Sequence, residues 1–274
     1  MPPACGGRLG DRVISSATSI SADLNGAKRW FLPLLACALL AGTMFLTGCA
    51  TKPTDPDDLD AYNEAHDPAE PTNRVIYKIN DKLDVYALAP VARAYRYIAP
   101  QHLVREPIHR ILLNAQSPVL FGNDVLQAKP RRAAATFVRF VVNSTLGLGG
   151  IFDVAAKTGL PAHDTDFGET LAVWGVPDGP FVELPLYGPS NPRDAIGKGV
   201  DFAMDPLTWI GSGAAYTDMD YGRFGMTAVD ERERALDGLA AIKKTSLDPY
   251  ATIRSLYRQN RDSSIEALRG NDTP

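Results

Sequence analysis

Nineteen uncharged residues, Trp30–Gly48, lie between the basic pair Lys28-Arg29 and Cys49, and they divide the chain into two unlike parts. Basic residues before an apolar run are typical of a secretory signal segment. The run also approaches the roughly 20 residues of a transmembrane helix, so a retained anchor is the alternative. All three cysteines lie at or before Cys49. No disulfide can therefore stabilise the rest of the chain, which needs its own packed core.

The end of the uncharged run favours the signal segment. Leu46–Cys49 fits the bacterial lipobox, Leu-[Ser/Thr/Ala]-[Gly/Ala]-Cys, in which the cysteine thiol accepts diacylglycerol before cleavage. We therefore predict a lipoprotein signal over 1–48 and acylated Cys49 as the first mature residue. Ala50 follows, whereas many lipoproteins of the Gram-negative inner membrane carry Asp there, so we expect the outer membrane. A terminus with several acyl chains is stably anchored.

Composition predicts where translation starts and how the chain after the signal segment is divided. The polar stretch before the signal is long, which predicts a translation start downstream, at Val13 or Leu24. Residues 49–66 are acidic and rich in proline, and we predict a flexible tether behind the acylated N-terminus. We expect one domain over 67–260 and a C-terminal tail over 261–274.

Apolar residues in this domain recur three or four positions apart, as on one face of a helix. Pro130 suits the first turn of one helix, and Asp248-Pro249 suits the cap and first turn of the last. Only Leu171–Trp174 and Phe181–Leu184 predict a short β-hairpin. The expected fold is mainly α with few or no short strands. The apolar stripes include Ile76, Ile79, Leu83 and Tyr86; Ile108, Ile111, Leu112 and Ala115; and Phe137, Val138, Val141 and Val142.

Two stretches, Ile111–Asn123 and Phe140–Phe152, are each thirteen residues long without a charge. Thirteen helical residues cover about 20 Å, whereas the hydrocarbon core of a bilayer is about 30 Å thick. Neither can span a membrane, which leaves two interpretations: core helices, or a helical hairpin that enters one leaflet. Three glycines within Gly147–Gly150, here called the glycine turn, favour a mobile connection.

Charge and ligand types exclude several functions. The chain has 28 Lys+Arg against 32 Asp+Glu, a net charge of −4 that gives no general attraction to nucleic acid. The four histidines form no metal motif, and His163–Asp166 is best interpreted as a polar loop. We predict no metal and no cofactor.

No catalytic motif is present in the sequence either. The glycine turn lacks the Gly-Lys-[Ser/Thr] of a phosphate loop and the third glycine of a dinucleotide fingerprint. There is no Gly-x-Ser-x-Gly, and Ser190, within Gly188–Pro192, is interpreted as a helix N-cap. We expect a protein that is not an enzyme.

The order of motifs resembles the MlaA (VacJ) family of Gram-negative outer-membrane lipoproteins, over about 67–258. The most distinctive block runs from Asp166 to Asp194. The motifs that carry the resemblance are Asp67-Pro68, Asn73-Arg74, Ile79–Asp84, Ala89–Ala92, Ala94–Arg96, Asn114, Pro118, Asn123–Gln127, Arg139–Gly147, Gly150, Asp153–Ala155, Asp166–Leu171, Trp174–Val176, Gly179–Phe181, Leu184-Pro185, Gly188–Ser190, Arg193-Asp194, Asp205-Pro206, Arg232 and Asp248–Tyr250.

This chain departs from the family pattern in three places. Glu70–Thr72 stands where members usually have Glu-Gly-Phe, Ala89 replaces a usual Arg, and Ala128 replaces a usual Gly. The first departure adjoins Asn73-Arg74, so it bears on how the first helix docks.

The resemblance implies lipid transport without chemistry. Family members form a mostly helical, ring-shaped domain with a central amphipathic channel, lying in the inner leaflet of the outer membrane. They associate with trimeric porins and pass phospholipid from the outer leaflet to a soluble periplasmic carrier. On this basis Asn143, Gly147, Gly149 and Gly150 are candidates for the lipid path and its hinge. Asn80 and Asp81, which interrupt the first stripe, are candidates for the membrane-facing rim.

Two other functions remain open at this point. One is an adaptor lipoprotein that braces porins without passing lipid. The other is a phospholipase that faces the periplasm.

Overall fold

The computed structural model describes residues 67–208 and 214–270, all within one unit of the chain. Residues 1–66, which hold the predicted signal segment, Cys49 and the tether, lie outside the described residues. The described part consists of helices and one two-stranded sheet. The prediction of a mainly α fold with few strands is confirmed.

The first two helices are nearly continuous. Helix α1 (Glu70–Leu83) has Pro71 in its first turn, where the missing N–H of proline costs no hydrogen bond. It continues through a π-helical turn (Asp84–Leu88) into α2 (Ala89–Ile98). Helix α2 ends at Ala99, which precedes a proline and takes an extended backbone, with φ −97° and ψ 111°.

The two uncharged runs meet in a helical hairpin. A second π-helical turn (Gln101–Arg105) leads into α3 (Glu106–Leu126), and α4 (Pro130–Thr145) follows with Pro130 in its first turn, as predicted. The two helices pack side by side, and the link 127–129 joins them. The glycine turn therefore follows this α3–α4 hairpin and does not close it.

Two short helices come next. Helix α5 (Val154–Lys157) is a single turn, and α6 (Phe167–Val173) begins after Asp166, whose Oδ1 accepts the N–H of Glu169 at 2.8 Å. The prediction of a strand over Leu171–Trp174 is wrong. Asp166 with Glu169 three residues later is a helix-capping pair, and it starts a helix that runs through these residues.

The other half of the predicted β-hairpin exists with a different partner. Phe181–Leu184 contains strand β1 (Val182–Leu184), which pairs antiparallel with β2 (Gly188–Ser190), so that Val182 lies opposite Ser190. We call these two strands the β-hairpin.

Helix α7 (Pro192–Met204) is capped one residue later than predicted. Ser190 is not its N-cap, because it belongs to the strand and is buried. The cap is Asn191, whose Oδ1 accepts the N–H of Asp194 at 2.8 Å.

Three longer helices complete the described chain. A 3₁₀ turn (Pro206–Thr208) is followed by α8 (Ala214–Arg234), α9 (Leu236–Thr245) and α10 (Pro249–Gly270). The last of these passes the predicted domain end at residue 260.

Helix α10 begins as predicted and ends later. Pro249 lies in its first turn, and Asp248 accepts a backbone N–H from that turn at 3.2 Å. Ile265 and Leu268 are buried near its C-terminal end. The first part of the predicted tail 261–274 is therefore packed helix, because these apolar side chains continue the buried face of α10.

Candidate functional site

Polar side chains fill the interior of the described domain. The largest completely buried ones are Asn73, Asn123, Thr170, Asp67, Asp124, Asp230 and Ser190. Burial of a polar group is costly unless it is hydrogen-bonded, so such an interior requires a connected network. Buried apolar side chains such as Ile76 and Phe181 share this interior. Many other large apolar side chains are exposed, by at least 41% in the case of Ile79, Leu83, Tyr86, Phe137, Val138 and Val141.

The network is dense where α3 passes into the link 127–129. Thr170 donates from its hydroxyl to Oδ1 of Asn123 at 2.8 Å. Asp124 accepts from the hydroxyl of Thr136 at 2.6 Å and lies 2.9 Å from Nε2 of His163. These bonds fix the linked end of the α3–α4 hairpin against α6 and the segment before it.

Asn73 and Asn80 lie two turns apart on α1 and bind the backbone of the β-hairpin together. We call this pair the asparagine strap. Each amide donates to a carbonyl and accepts an N–H, as a neighbouring strand would. The four contacts, at 2.9 to 3.0 Å, are Asn73 Nδ2 to Phe181 O, Glu183 N to Asn73 Oδ1, Asn80 Nδ2 to Leu184 O and Leu186 N to Asn80 Oδ1.

Asp81 contacts a different element from its neighbour Asn80. Its Oδ1 lies 2.5 Å from Nζ of Lys243 on α9. Lys243 is also 3.5 Å from Asp84, which binds the guanidinium of Arg232 at 2.5 Å. The two predicted rim residues therefore join α1 to the β-hairpin on one side and to α9 on the other, and Asp84 beyond them adds the contact with α8.

Glu183 of β1 is a buried carboxyl beside the strap, only 2% exposed. Burial raises its pKa to about 7, although the hydrogen bond from Asn80 Nδ2, at 3.1 Å, opposes the shift. The nearby carboxylate of Asp67 raises the pKa further. This group therefore changes charge near neutral pH.

Each glycine of the glycine turn is required for a different reason. A Cβ on Gly147 would lie 2.3 Å from the carbonyl oxygen of Phe152, so that position has no room. Gly149 has φ 74° and open space around it, so only its backbone conformation favours glycine. Gly150 has φ 100°, and a Cβ there would lie 2.7 Å from Cβ of Asn114 on α3.

Asn143 fixes the end of α4 just before this turn. Its Nδ2 donates to Oδ1 of Asp153 at 3.0 Å, and its Oδ1 accepts the N–H of Ala155 at 3.0 Å. Its backbone carbonyl accepts the N–H of Gly150 at 2.8 Å. Asn143 therefore ties the two sides of the glycine turn together.

Asn114 on α3 contacts the same turn less completely. Its Nδ2 donates to the hydroxyl of Ser144 at 2.9 Å and to the carbonyl of Gly149 at a longer 3.4 Å. Its Oδ1 is buried, and the described residues give it no hydrogen-bond partner. Pro118, one turn further along α3, has no N–H to bind the carbonyl of Asn114.

A cavity of about 310 Å³ lies on this side of the α3–α4 hairpin. Its wall mixes charged, amide, hydroxyl and apolar side chains. The lining residues are Arg110, Leu113, Asn114, Ser117, Leu120, Thr136, Arg139, Asn143, Asp153, Ala162, His163 and Asp164.

Asp153 and Arg139 form a closed ion pair in the cavity wall, with Nη2 of Arg139 at 2.9 Å from Oδ2 of Asp153. Burial opposes ionisation of Asp153, but Arg139, the N–H of Ala156 and the amide of Asn143 together hold its pKa below the usual value. Arg139 also donates to the carbonyl of Leu160. The pair supports the wall, and its two opposite charges cancel each other.

The structure brings one group of predicted site residues together and leaves the others apart. Asn143 lines the cavity, and Gly147, Gly149 and Gly150 adjoin it. Asn80 and Asp81 lie on α1 and do not line that cavity. Cys49 lies outside the described residues.

Two properties of the described residues bear on other functions. No group of three or more His, Cys, Asp or Glu side chains in 67–208 and 214–270 could hold a metal ion. Within the same ranges, every helix is too short or too polar to cross a membrane.

Comparison with known proteins now identifies the family. The model of the family described as "MlaA lipoprotein" matches residues 65–264. This chain belongs to the MlaA family. It is 34% identical to the Escherichia coli K12 protein named "Intermembrane phospholipid transport system lipoprotein MlaA", over 84% of this chain and 88% of that one. The Haemophilus influenzae protein of the same name is also 34% identical, over 81% and 86% of the two chains.

Two further matches of this MlaA chain are a solved structure and a relative without a functional name. A solved structure reported as "Structural basis for maintenance of bacterial outer membrane lipid asymmetry" matches with a TM-score of 0.63 and 32% identity. The match covers 73% of this chain and 98% of that one. A Rickettsia felis protein described only as "Uncharacterized protein" is 34% identical over 74% of this chain and 79% of its own length.

The structure explains how this MlaA chain accommodates its departures from the family pattern. Pro71 fits the first turn of α1, and Asn73 beside it is fully buried in the strap. Ala89 is 1% exposed, so the longer side chain of the usual Arg would need more space than surrounds Ala89 in this protein. Ala128 has φ 55°, a conformation that glycine adopts without strain and alanine does not.

Sequence reasoning misses the cavity wall. Arg110, Arg139, Asp153 and Asp164 come from four separate segments, and only Arg139 and Asp153 fall within motifs of the resemblance. The pattern of His163–Asp166 indicates a polar loop and gives no sign of a shared cavity. A signal does exist for the polar interior, since α3 ends in the polar residues Asn123, Asp124 and Gln127 where a core helix would be apolar.

Proposed function

We propose that this protein is a lipoprotein of the outer membrane that removes misplaced phospholipid from the outer leaflet and passes it to a soluble periplasmic carrier. The observation that carries the proposal is the partly inverted distribution of polarity along α1 and the α3–α4 hairpin, where polar side chains are buried and most large apolar ones, with Ile76 as an exception, are exposed. Such a surface suits lipid as its solvent better than water. A cavity beside the hairpin, with charged, polar and apolar side chains in its wall, gives the headgroup end of a lipid a place to bind.

In this proposal the domain lies in the inner leaflet, anchored from the periplasmic side by acylated Cys49. The domain forms a ring around an amphipathic channel, and a trimeric porin packs against its apolar outside. The glycine turn is the moving part of the lipid path, since Gly149 has free space around it.

The test is an assay of lipid asymmetry in cells that lack this protein. We expect phospholipid to accumulate in the outer leaflet and resistance to detergent to fall. The wild-type gene should restore both. Cys49→Ala should not restore them, because no other thiol lies at the cleavage site, and the precursor should remain unprocessed. Mature-sized Cys49→Ala protein in the outer membrane would contradict the lipobox prediction.

Two controls separate this function from its rivals. An adaptor that braces porins should tolerate Ser117→Leu, which replaces one hydroxyl of the cavity wall by an apolar side chain, whereas a lipid carrier should lose transport in that variant. A phospholipase would release fatty acid or lysolipid from vesicles. We expect the purified protein to release neither.

A further inference from the structure

The cavity beside the α3–α4 hairpin contains more charged groups than its own ion pairs use. Arg139 is bound to Asp153 at 2.9 Å, and His163 lies 2.9 Å from buried Asp124. Arg139, Asp153 and His163 therefore have partners within the protein. Arg110 and Asp164 are the remaining charged residues of the lining.

Arg110 is the cation of the cavity with the weakest pairing. Among the described residues, its carboxylate partner within 4 Å is Glu106, one turn earlier on α3, at 3.8 Å. That separation is too long for a normal hydrogen bond. The Arg110 side chain is 38% exposed, so its guanidinium can present several N–H donors to a bound group.

Asp164 is the matching anion. Its Oδ1 accepts only the neighbouring N–H of Thr165, at 3.0 Å, and no Arg, Lys or His nitrogen in the described residues lies within 4 Å of its carboxylate. Asp164 is an exposed residue, so a ligand can reach its carboxylate. Desolvation by neighbouring protein atoms and the carboxylate of Asp166 raise the pKa of Asp164, while the N–H of Thr165, His163 and Arg261 oppose the shift. A bound cation would favour the ionised carboxylate.

Apolar side chains adjoin these two charges. Leu113, Leu120 and Ala162 line the same cavity. A volume of about 310 Å³ is at the lower end of the roughly 300–1,000 Å³ of small-molecule sites. The space suits the polar end of an amphiphile and not two long acyl chains.

We infer that this cavity binds the headgroup of a zwitterionic, amine-bearing phospholipid, with its phosphate at Arg110 and its ammonium at Asp164. The inference rests on the proposed lipid transport and adds a headgroup preference to it. A phosphate matches a guanidinium in charge and geometry, and an ammonium matches a free carboxylate. An anionic headgroup without an amine has the same phosphate but gives the carboxylate of Asp164 no cationic partner, so it lacks one of the two charge-assisted contacts.

The test measures binding of two short-chain lipids to the purified full-length lipoprotein. Dihexanoyl phosphatidylethanolamine and dihexanoyl phosphatidylglycerol are used below their critical micelle concentrations, with calorimetry as the readout. We expect wild-type protein to bind the ethanolamine lipid about tenfold more tightly, the value of one charge-assisted hydrogen bond.

The variants assign the two ends of the headgroup. Asp164→Asn should remove the preference by weakening the ethanolamine lipid about tenfold and leaving the glycerol lipid unchanged. Arg110→Gln should weaken both lipids, and Arg110→Lys should recover most of the affinity. Asp262→Asn and Arg131→Gln serve as matched controls, because both residues are exposed and neither lines the cavity. Each variant's unfolding midpoint is measured alongside.

Equal binding of the two lipids by the wild type, or a preference that survives Asp164→Asn, would overturn the inference. If neither lipid binds, the inference is also overturned. If cells lacking the protein still lose lipid asymmetry in that case, the transport function stands and only the headgroup site is wrong. Normal asymmetry in those cells would instead remove the proposed function.

Discussion

Asparagine side chains bind the backbone at both the asparagine strap and the glycine turn, but their hydrogen bonds are complete only at the strap. In the strap, both ends of each amide bind the backbone of the β-hairpin at 2.9 to 3.0 Å. At the glycine turn, Asn114 reaches Gly149 at only 3.4 Å, and its Oδ1 has no partner among the described residues. A fully bonded amide is costly to move, whereas a partly bonded one can change partners at little cost.

The comparison also limits where movement can occur. Asn143 is fully bonded, so α4 is fixed up to that residue. Gly149 beyond it has open space and a backbone that only glycine adopts easily. The number of hydrogen bonds that each buried amide makes therefore distinguishes a rigid contact from a movable one. The presence of asparagine alone does not.

Deletion of Asn80 and Asp81 should have the largest effect, because it breaks the strap and changes the helix phase together. Loss of two residues rotates the helix beyond Ile79 by roughly 200° relative to the start of α1, at about 100° per residue. The pair of Asp84 with Arg232 would then be lost as well. We expect lost control of lipid asymmetry or an ungated leak, measured as survival in detergent at normal protein level.

Single substitutions provide the control for that deletion. Asn80→Ala and Asp81→Asn each remove contacts without rotating the helix, and each should cost only about 1 kcal/mol of stability. Wild-type detergent resistance in the deletion strain would mean that the strap does not control the lipid path.

Proline at Gly147 or Gly149 tests the glycine turn. The N–H of Gly149 donates to Ser144 at 3.1 Å, and φ is 74°, so proline there removes one bond and requires φ near −65°. Gly147→Pro should lose the protein, because a Cβ there would lie 2.3 Å from the carbonyl oxygen of Phe152. We expect Gly149→Pro, where a Cβ meets nothing within 4 Å, to fold and reach the outer membrane with altered lipid flux. The measurements are protein level, heat stability and outer-leaflet phospholipid.

Gly149→Ala is the matched variant for the proline test. Its Cβ meets nothing within 4 Å, so it adds only backbone strain of about 1–2 kcal/mol. Loss of the protein in every proline variant, or normal lipid content in each that folds, would remove the case for a hinge.

Glu183→Gln tests whether ionisation of the buried carboxyl beside the strap lowers the stability of this fixed joint. The folded-state pKa of about 7 lies above the ordinary 4.5, so the folded protein binds more protons between these values. The stability contributed by protonated Glu183 is complete below about pH 4.5 and is lost as pH rises through 7. Glutamine keeps an acceptor for Asn80 without a charge.

We therefore expect Glu183→Gln to raise stability at pH 8 by up to roughly 3 kcal/mol and to change little at pH 4.5. Unfolding midpoints in a mild non-ionic detergent at the two pH values measure this. A gain of the same size at both would show that Glu183 is not ionised at the strap.

Ala128→Gly should have the smallest effect, at the linked end of the α3–α4 hairpin. Because Ala128 has φ 55°, glycine should relieve strain and raise stability by about 1 kcal/mol. Ala240→Gly in exposed α9 is the control and should lower stability by about the same amount. Equal changes in the two unfolding midpoints would contradict the strain at Ala128.

Local signals predict the helices well and the sheet badly. Pro130 and Asp248-Pro249 mark two helix starts, because a first-turn proline and a cap act within a few residues. The predicted strand partner falls on Leu171–Trp174, which the capping pair Asp166 and Glu169 makes helical. The spacing of apolar residues also predicts the apolar stripes, but it does not show whether a stripe faces the interior or the outside of the domain.

The sequence by itself determined the lipoprotein prediction at Cys49, the helical class and the family resemblance, since each depends on residues close together or in a fixed order. Only the tertiary structure decided the partners of the buried polar groups. Asn73 binds the carbonyl of Phe181, 108 residues away, and Arg110 shares a cavity with Asp164. The contact of Asn73 forms because a buried polar group must find a partner wherever the fold provides one.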